Sequence, residues 1–179
     1  MALIVFLRGI NVGGKNSLPM RDLSVMFNDS GCTEVATYIQ SGNVIFTASA
    51  QVAKRLAKEI EDGVEKRFGH RPPVILRTGA ELALAAQRNP FLKKKGHDEQ
   101  LQYVMFLADT PSASAVKALD PDRSPPDQFV VLGKEIYLSL PNGAGRSKLT
   151  NAYFDSRLST ISTARNWRTV LKLVELTTA

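Results

Sequence analysis

The order of strand-like and helix-like segments in the first half of this chain, β-α-β-β-α-β, predicts an α+β protein built on a ferredoxin-like unit. Three observations carry that prediction. The run Ala2–Leu7 is apolar, rich in strand formers and closed by Gly9, as a central strand should be. Val52, Leu56, Ile60, Val64 and Phe68 recur at a spacing of four among Lys, Arg, Glu and Asp, which marks an amphipathic helix. Between them, two short strand-like runs flank Ser41-Gly42-Asn43, residue types that accept the positive φ of a hairpin turn.

The elements follow in order. After the strand and the loop Gly9–Ser17, Pro19 suits the first turn of a helix and Ser17 is a candidate cap. Leu23, Met26 and Phe27 share one face of that helix, and Gly31 stops it. Val35–Gln40 and Val44–Thr47 are the hairpin strands, Gly69 ends the long helix, and Val74–Arg77 is the fourth strand. The second half repeats part of this order. Leu101–Ala108 is a strand, Ala113–Leu119 a short helix, and Asp120–Asp127 a proline-rich loop. Phe129–Leu132 and Ile136–Leu140 form a hairpin through Gly133-Lys134, a helix covers Lys148–Leu158, and another begins near Thr163. No closing strand is visible there. The expected organisation is a ferredoxin-like half over 1–79 and a second, related α+β half over 80–179 ending in helices, the two packed together. The boundary is read at Arg77–Glu81, with Pro90–Asp98 as the competing choice.

Composition narrows the class. With 23 Lys/Arg against 17 Asp/Glu in 179 residues the net charge is +6, while 44% hydrophobic and 22% charged residues exclude a disordered, collagen-like or coiled-coil chain. The basic balance permits a polyanionic partner without requiring one. Cys32 stands alone, so no intramolecular disulfide forms, which fits a reducing, cytoplasmic setting. One cysteine and two histidines do not make a zinc cluster, and no metal site is expected. His70 and His97 stand in polar stretches and read as solvated, and Cys32 reads as structural. The apolar N-terminal run is too short and lacks the basic flank of a signal peptide, and no stretch approaches the ~20 residues of a membrane span.

Topology points to a site. In a ferredoxin-like unit the first and third strands are antiparallel neighbours, so Arg8–Asn16 and Ser41–Asn43 share one end of the sheet. Gly13 and Gly14 would let backbone N–H groups approach an anion, Arg8 and Lys15 supply positive charge, and Asn11, Asn16, Ser41 and Asn43 can orient a ligand. The competing structural reading is that the glycines only make the turn. Gly9–Asn16 also matches the phosphate-binding pattern G-x-x-x-x-G-K-[ST] except at its last place, with Val104–Asp109 as a strand ending in a carboxylate. Asn16 lacks the hydroxyl that ligates magnesium, and Pro19 falls where the following helix should already run.

Other candidates lie in the second half. Arg165 and Asn166, read as the first turn of a helix capped by Thr163, would add anion affinity, with Trp167 either core or part of the site. Lys93, Lys94, Lys95, Arg146 and Lys148 are candidate polyanion contacts. Signatures of a reaction are missing: no G-x-S-x-G elbow, no paired carboxylates, and no histidine beside a candidate nucleophile in sequence. No catalytic residue or cofactor is assigned.

Leu7-Arg-Gly-Ile-Asn-Val-Gly-Gly-Lys-Asn16, Thr37-Tyr-Ile-Gln-Ser-Gly-Asn-Val44, Asn89-Pro-Phe91 and Thr163-Ala-Arg-Asn-Trp167 closely resemble the DUF1697 family of bacterial proteins. The resemblance implies an α+β fold with ferredoxin-like units, and it implies no catalytic residue or cofactor. The expectation that results is a phosphate-bearing ligand, whether nucleotide, phosphorylated metabolite or RNA, held by Arg8, Lys15 and Arg165. Gly13 and Gly14 would donate N–H groups, and Asn11, Asn43 and Asn166 would orient it. The alternatives are a protein- or nucleic-acid-interaction module whose motifs are structural, and a divergent P-loop enzyme.

Overall fold

The computed structural model describes residues 1–178. The chain forms two compact units, one made of Met1–Leu82 with the chain from Leu173 onward, the other of Ala83–Lys172. Among the described residues no helix is long and apolar enough to cross a membrane.

The first unit runs β1 (Ala2–Leu7), α1 (Met20–Asp29), β2 (Thr33–Tyr38), β3 (Asn43–Thr47), α2 (Ala50–Phe68), β4 (Val74–Thr78). Its sheet has the order β2-β3-β1-β4 with every neighbour antiparallel. Leu3, Val5 and Leu7 of β1 pack with Phe27 of α1, Phe46 of β3 and Leu56, Ile60 and Val64 of α2. The Phe27 and Phe46 rings meet edge-on at 5.1 Å. Ile4 and Phe6, on the other face of β1, are also fully buried. Burial on both faces is why β1 is a continuous apolar run rather than an alternating one. The Ser49 side chain accepts from the Val52 N–H to start α2. Ser17 does not cap α1: Pro19 stands at that position and no side chain bonds the free amides.

The second unit completes the pattern that its sequence concealed. After α3 (Gly79–Gln87), which begins in the first unit, come β5 (Gln102–Leu107), α4 (Ala113–Lys117), β6 (Gln128–Leu132), β7 (Glu135–Ser139), α5 (Asn151–Leu158), β8 (Ser162–Asn166) and α6 (Trp167–Thr178), whose residues from Leu173 belong to the first unit. The sheet order β6-β7-β5-β8 is that of the first unit, again antiparallel throughout. Two sequence expectations change. The helix read from Thr163 starts at Trp167, and the residues before it are β8, the closing strand. Ser162-Thr-Ala-Arg-Asn166 has no apolar periodicity, so nothing in it reads as a buried strand. Its polar side chains are matched locally instead: Ser162 donates to Asp155 at 2.6 Å and accepts from Asn151 at 2.9 Å. The core of this unit joins Met105, Leu107, Ile136 and Leu138 of the sheet to Phe154 and Leu158 of α5.

Helix α3 has no counterpart in the sequence reading. Gly79–Gln87 is alanine-rich with a weak apolar stripe, yet Thr78-Gly-Ala-Glu81 spells a capping box. Thr78 Oγ1 accepts from the Glu81 N–H at 3.1 Å, and Glu81 Oε2 accepts from the Thr78 N–H at 2.7 Å. That reciprocal pair was the available signal.

Candidate functional site

The segment Arg8–Asn16 leaves β1 as a small hairpin. The Lys15 N–H donates to the Val12 carbonyl at 3.0 Å, and Gly13 and Gly14 between them have φ of 56° and 74°. Two positive φ values in succession define a tight turn of the I′ kind, which side chains other than glycine enter at a cost. A Cβ on either glycine would meet nothing within 4 Å, so the requirement is conformational and the space above the turn is open.

Asparagines brace this hairpin. Asn11 Nδ2 donates to the Leu18 and Gln40 carbonyls, each at 2.9 Å, while its Oδ1 accepts from the Leu18 N–H at 2.8 Å. The Asn11 N–H donates to the Asn16 carbonyl at 3.1 Å, and Asn16 Nδ2 to the Gly9 carbonyl at 2.9 Å. Both asparagines adopt positive φ, which this residue type tolerates better than most. Asn43 is fully buried, and its Nδ2 donates to the Tyr38 carbonyl and to Ser41 Oγ. The Leu7 N–H donates to the Gly42 carbonyl at 2.8 Å. The convergence of Arg8–Asn16 with Ser41–Asn43 is therefore real, and hydrogen bonds lock it.

Within the cluster the structure divides the labour. Asn11 and Asn16 bond their side chains to the protein's own backbone, and Asn43 bonds to backbone and to Ser41 Oγ. Gly13, Gly14, Lys15 and Val12 are exposed, while Arg8 and Ser41 are half-buried. Among the described residues the Gly13 and Gly14 N–H groups have no protein acceptor. The P-loop arrangement is not formed: the glycine turn folds back on Val12, α1 starts only at Met20, and β1 and β5 lie in antiparallel sheets. A P-loop instead feeds its glycine turn directly into a helix beside parallel strands.

Arg165 and Asn166 belong to the second unit, on β8 rather than on a helix. Arg165 is 8% exposed, and its Nη1 donates to Thr163 Oγ1 and to the Ala164 carbonyl at 2.9 and 2.8 Å. Burial pushes its pKa down to about 10. The equivalent strand of the first unit holds the same device, since buried Arg77 donates to the Leu76 carbonyl at 3.0 Å. Asn166 caps α6 through Oδ1, which accepts from the Arg168 N–H, and it donates to the Gln100 carbonyl. Trp167 is core, 1% exposed.

Lys93, Lys94, Lys95, Arg146 and Lys148 are exposed on the second unit. Lys94 lies over the Phe91 ring at 5.2 Å. His97 is not a solvated side chain: it is half-buried, its Nδ1 lies 2.6 Å from Ser139 Oγ, and it packs against Phe91. His70 is also half-buried, with Nδ1 3.3 Å from the Phe68 carbonyl. Cys32 is buried, and desolvation raises its thiol pKa, against a smaller lowering by Arg55. No group of His, Cys, Asp and Glu suited to a metal ion occurs among the described residues.

Sequence reasoning did not find two hollows. One of about 260 Å³ lies in the first unit beside Glu34, Thr37 and Thr47. The other, of about 180 Å³, lies in the second unit between Tyr103, Leu138 and Leu149. Neither is lined by any residue of the 8–16 hairpin.

The family model described as a protein of unknown function, DUF1697, matches residues 1–137. The chain belongs to the DUF1697 family. Among solved structures, a conserved bacterial protein, SP0830 from Streptococcus pneumoniae, is similar over 98% of both chains at 21% identity and a TM-score of 0.71. That likeness establishes a shared fold. No curated protein matches this chain. The DUF1697 match covers the braced hairpin and the Asn89-Pro-Phe91 segment, whereas β8 and its buried arginine lie beyond it.

Proposed function

We propose that this DUF1697 protein binds a phosphate-bearing ligand, a nucleotide, a phosphorylated metabolite or RNA, at the 8–16 hairpin beside the 41–43 turn. One observation carries the reading. The hairpin is braced by Asn11 and Asn16, so the N–H groups of Gly13 and Gly14, without a protein acceptor among the described residues, are held at an exposed tip that the exposed Lys15 adjoins in the chain. Fixed N–H donors with an adjacent cation suit a phosphate oxygen, because no ordering of the loop is charged against binding. We infer a cytoplasmic setting from the single cysteine, which is buried and has no partner for a disulfide.

The test is a thermal-shift screen of the wild type and Lys15→Ala against nucleotides, sugar phosphates and short RNA. A ligand at 100 times its Kd stabilises the native state by about 2.7 kcal/mol. The expected result is a shift in the wild type that disappears in a folded Lys15→Ala variant. An unchanged shift in that variant, or none in either protein, removes the hairpin as a ligand site. RNA is told from a metabolite by salt, since each phosphate contact to a single strand adds about −0.7 to the log–log slope.

A second reading has its own observation. Asn11, Asn16, Asn43 and Asn166 all bond the protein's backbone, as residues kept for folding would. On this reading the chain is an interaction module, and its exposed Lys93–Lys95 segment meets an acidic partner. Absence of any small-ligand shift favours it.

A further inference from the structure

Each four-stranded sheet leaves two strands with one unpaired edge: β2 and β4 in the first unit, β6 and β8 in the second. Unpaired edges template pairing with other chains unless something blunts them. Three of the four are blunted. Along β2 the register shifts between Thr33 and Ala36, and Glu34 takes φ of 53°. Side chains occupy β4: the Val74 N–H donates to Glu61 Oε1 at 3.1 Å, the Thr78 N–H to Glu81, and Arg77 to the Leu76 carbonyl. On β8 the Arg165 guanidinium takes the Ala164 carbonyl.

Strand β6 has none of these devices. The Leu140 N–H donates to the Leu101 carbonyl, and the Leu107 N–H to the Lys134 carbonyl. Backbone groups alternate sides along a strand, so Glu135, Tyr137 and Ser139 turn theirs toward β6. Their partners there are Leu132, Val130 and Gln128. The N–H and C=O groups of Phe129 and Val131 must then point away from the sheet. Among the described residues none of these four groups has a protein partner. The strand itself, Gln-Phe-Val-Val-Leu, is regular in register and contains no charge and no proline.

We propose that β6 pairs antiparallel with β6 of a second copy of this chain, joining two second-unit sheets across a two-fold axis. The register follows from the free groups. Placing Phe129 opposite Val131 of the copy, with Val130 on the axis, satisfies the N–H and C=O of both residues in both copies. Sliding the pairing so that Phe129 faces its own counterpart sets Val131 against Asp127, whose N–H is already given to the Ser124 carbonyl. In the favoured register Asp127 of the copy stands opposite Gly133. Val130 meets its counterpart at the axis, and Gln128 lies opposite the exposed Leu132.

Size-exclusion chromatography with light scattering on the full chain tests this. A dimer of 19.6 kDa chains has a mass of about 39 kDa, twice the chain mass, and dissociates on dilution. Val131→Pro deletes an outward N–H while leaving the β6–β7 ladder whole, as proline at an edge allows. Val130→Lys sets two ammonium groups against each other at the axis. Both variants should give the monomer mass with wild-type circular dichroism. A wild type that stays monomeric at all concentrations overturns the proposal, and so does a dimer that survives in a folded variant. Should Val131→Pro fail to fold, Val130→Lys, which keeps every backbone donor, decides.

Discussion

Gly13 and Gly42 are the same residue type under different constraints. Gly13 needs only its positive φ, since a Cβ there meets open space. Gly42 needs its φ of 79° and also its lack of a side chain, because a Cβ would fall 2.8 Å from Leu7 Cβ and from Ile10 Cδ1. Gly13→Ala should therefore cost about 1–2 kcal/mol, the left-handed penalty alone. Gly42→Ala should cost that plus about 1–3 kcal/mol of overpacking. Urea unfolding of the two variants measures the difference, and equal losses would show that Leu7 and Ile10 give way freely to a Cβ at residue 42. The glycine pattern was legible in sequence, but the two reasons behind it were not. Nor was the fate of the asparagines: Asn11 and Asn43 have the chemistry of ligand-orienting groups, but they donate to carbonyls twenty-nine and five residues away.

At the scale of elements, the helix α3 is held at its start by Thr78 and Glu81, which satisfy each other's backbone N–H groups. Removing the Oγ1 acceptor by Thr78→Ala should cost about 1 kcal/mol, as loss of an N-terminal cap usually does. A denaturation midpoint unchanged by that substitution would mean that packing alone fixes the helix. Elements with a strong apolar signal, the unbroken run of β1 and the four-residue spacing of α2, stand where that signal put them. Strand β8 does not, because its residues are polar, made compatible with burial by side-chain hydrogen bonds, and paired with the distant β5. Ser162 is held by Asp155 and Asn151, and Arg165 by carbonyl and hydroxyl oxygens of its own strand. A local sequence window does not contain the ladder to β5. Thr163 therefore carries a helix-cap signal inside a strand, and the closing strand of the second βαββαβ unit has no local signature.

Across the whole molecule, pH dependence sums over buried groups, and Tyr137 is the clearest contributor. Its hydroxyl donates to the Ala85 carbonyl at 2.6 Å, and burial, followed by the charge of Glu135, raises its pKa above the ordinary value of 10.0. The unfolded chain releases that proton above pH 10.0 while the native chain keeps it. Its stabilising contribution is thus complete below that pH and falls as pH rises beyond it. Arg165, pushed down to about 10, acts in the opposite direction there, since the native chain sheds its proton before the unfolded one. Comparing wild type with Tyr137→Phe isolates the tyrosine: the variant should be about 1 kcal/mol less stable near neutrality and lose stability less steeply in alkali. Parallel profiles would show that the hydroxyl stays ionisable in the fold. By itself the sequence determined the α+β class, the first ferredoxin-like unit, the burial of β1 and the meeting of Arg8–Asn16 with Ser41–Asn43. Each of these follows from local periodicity, turn chemistry and strand adjacency. Only the tertiary structure decided that Arg165 is a buried strand residue and that the outward backbone groups of Phe129 and Val131 on β6 are, among the described residues, without a protein partner. Those properties depend on which strands pair and at which register, and no run of neighbouring residues encodes that.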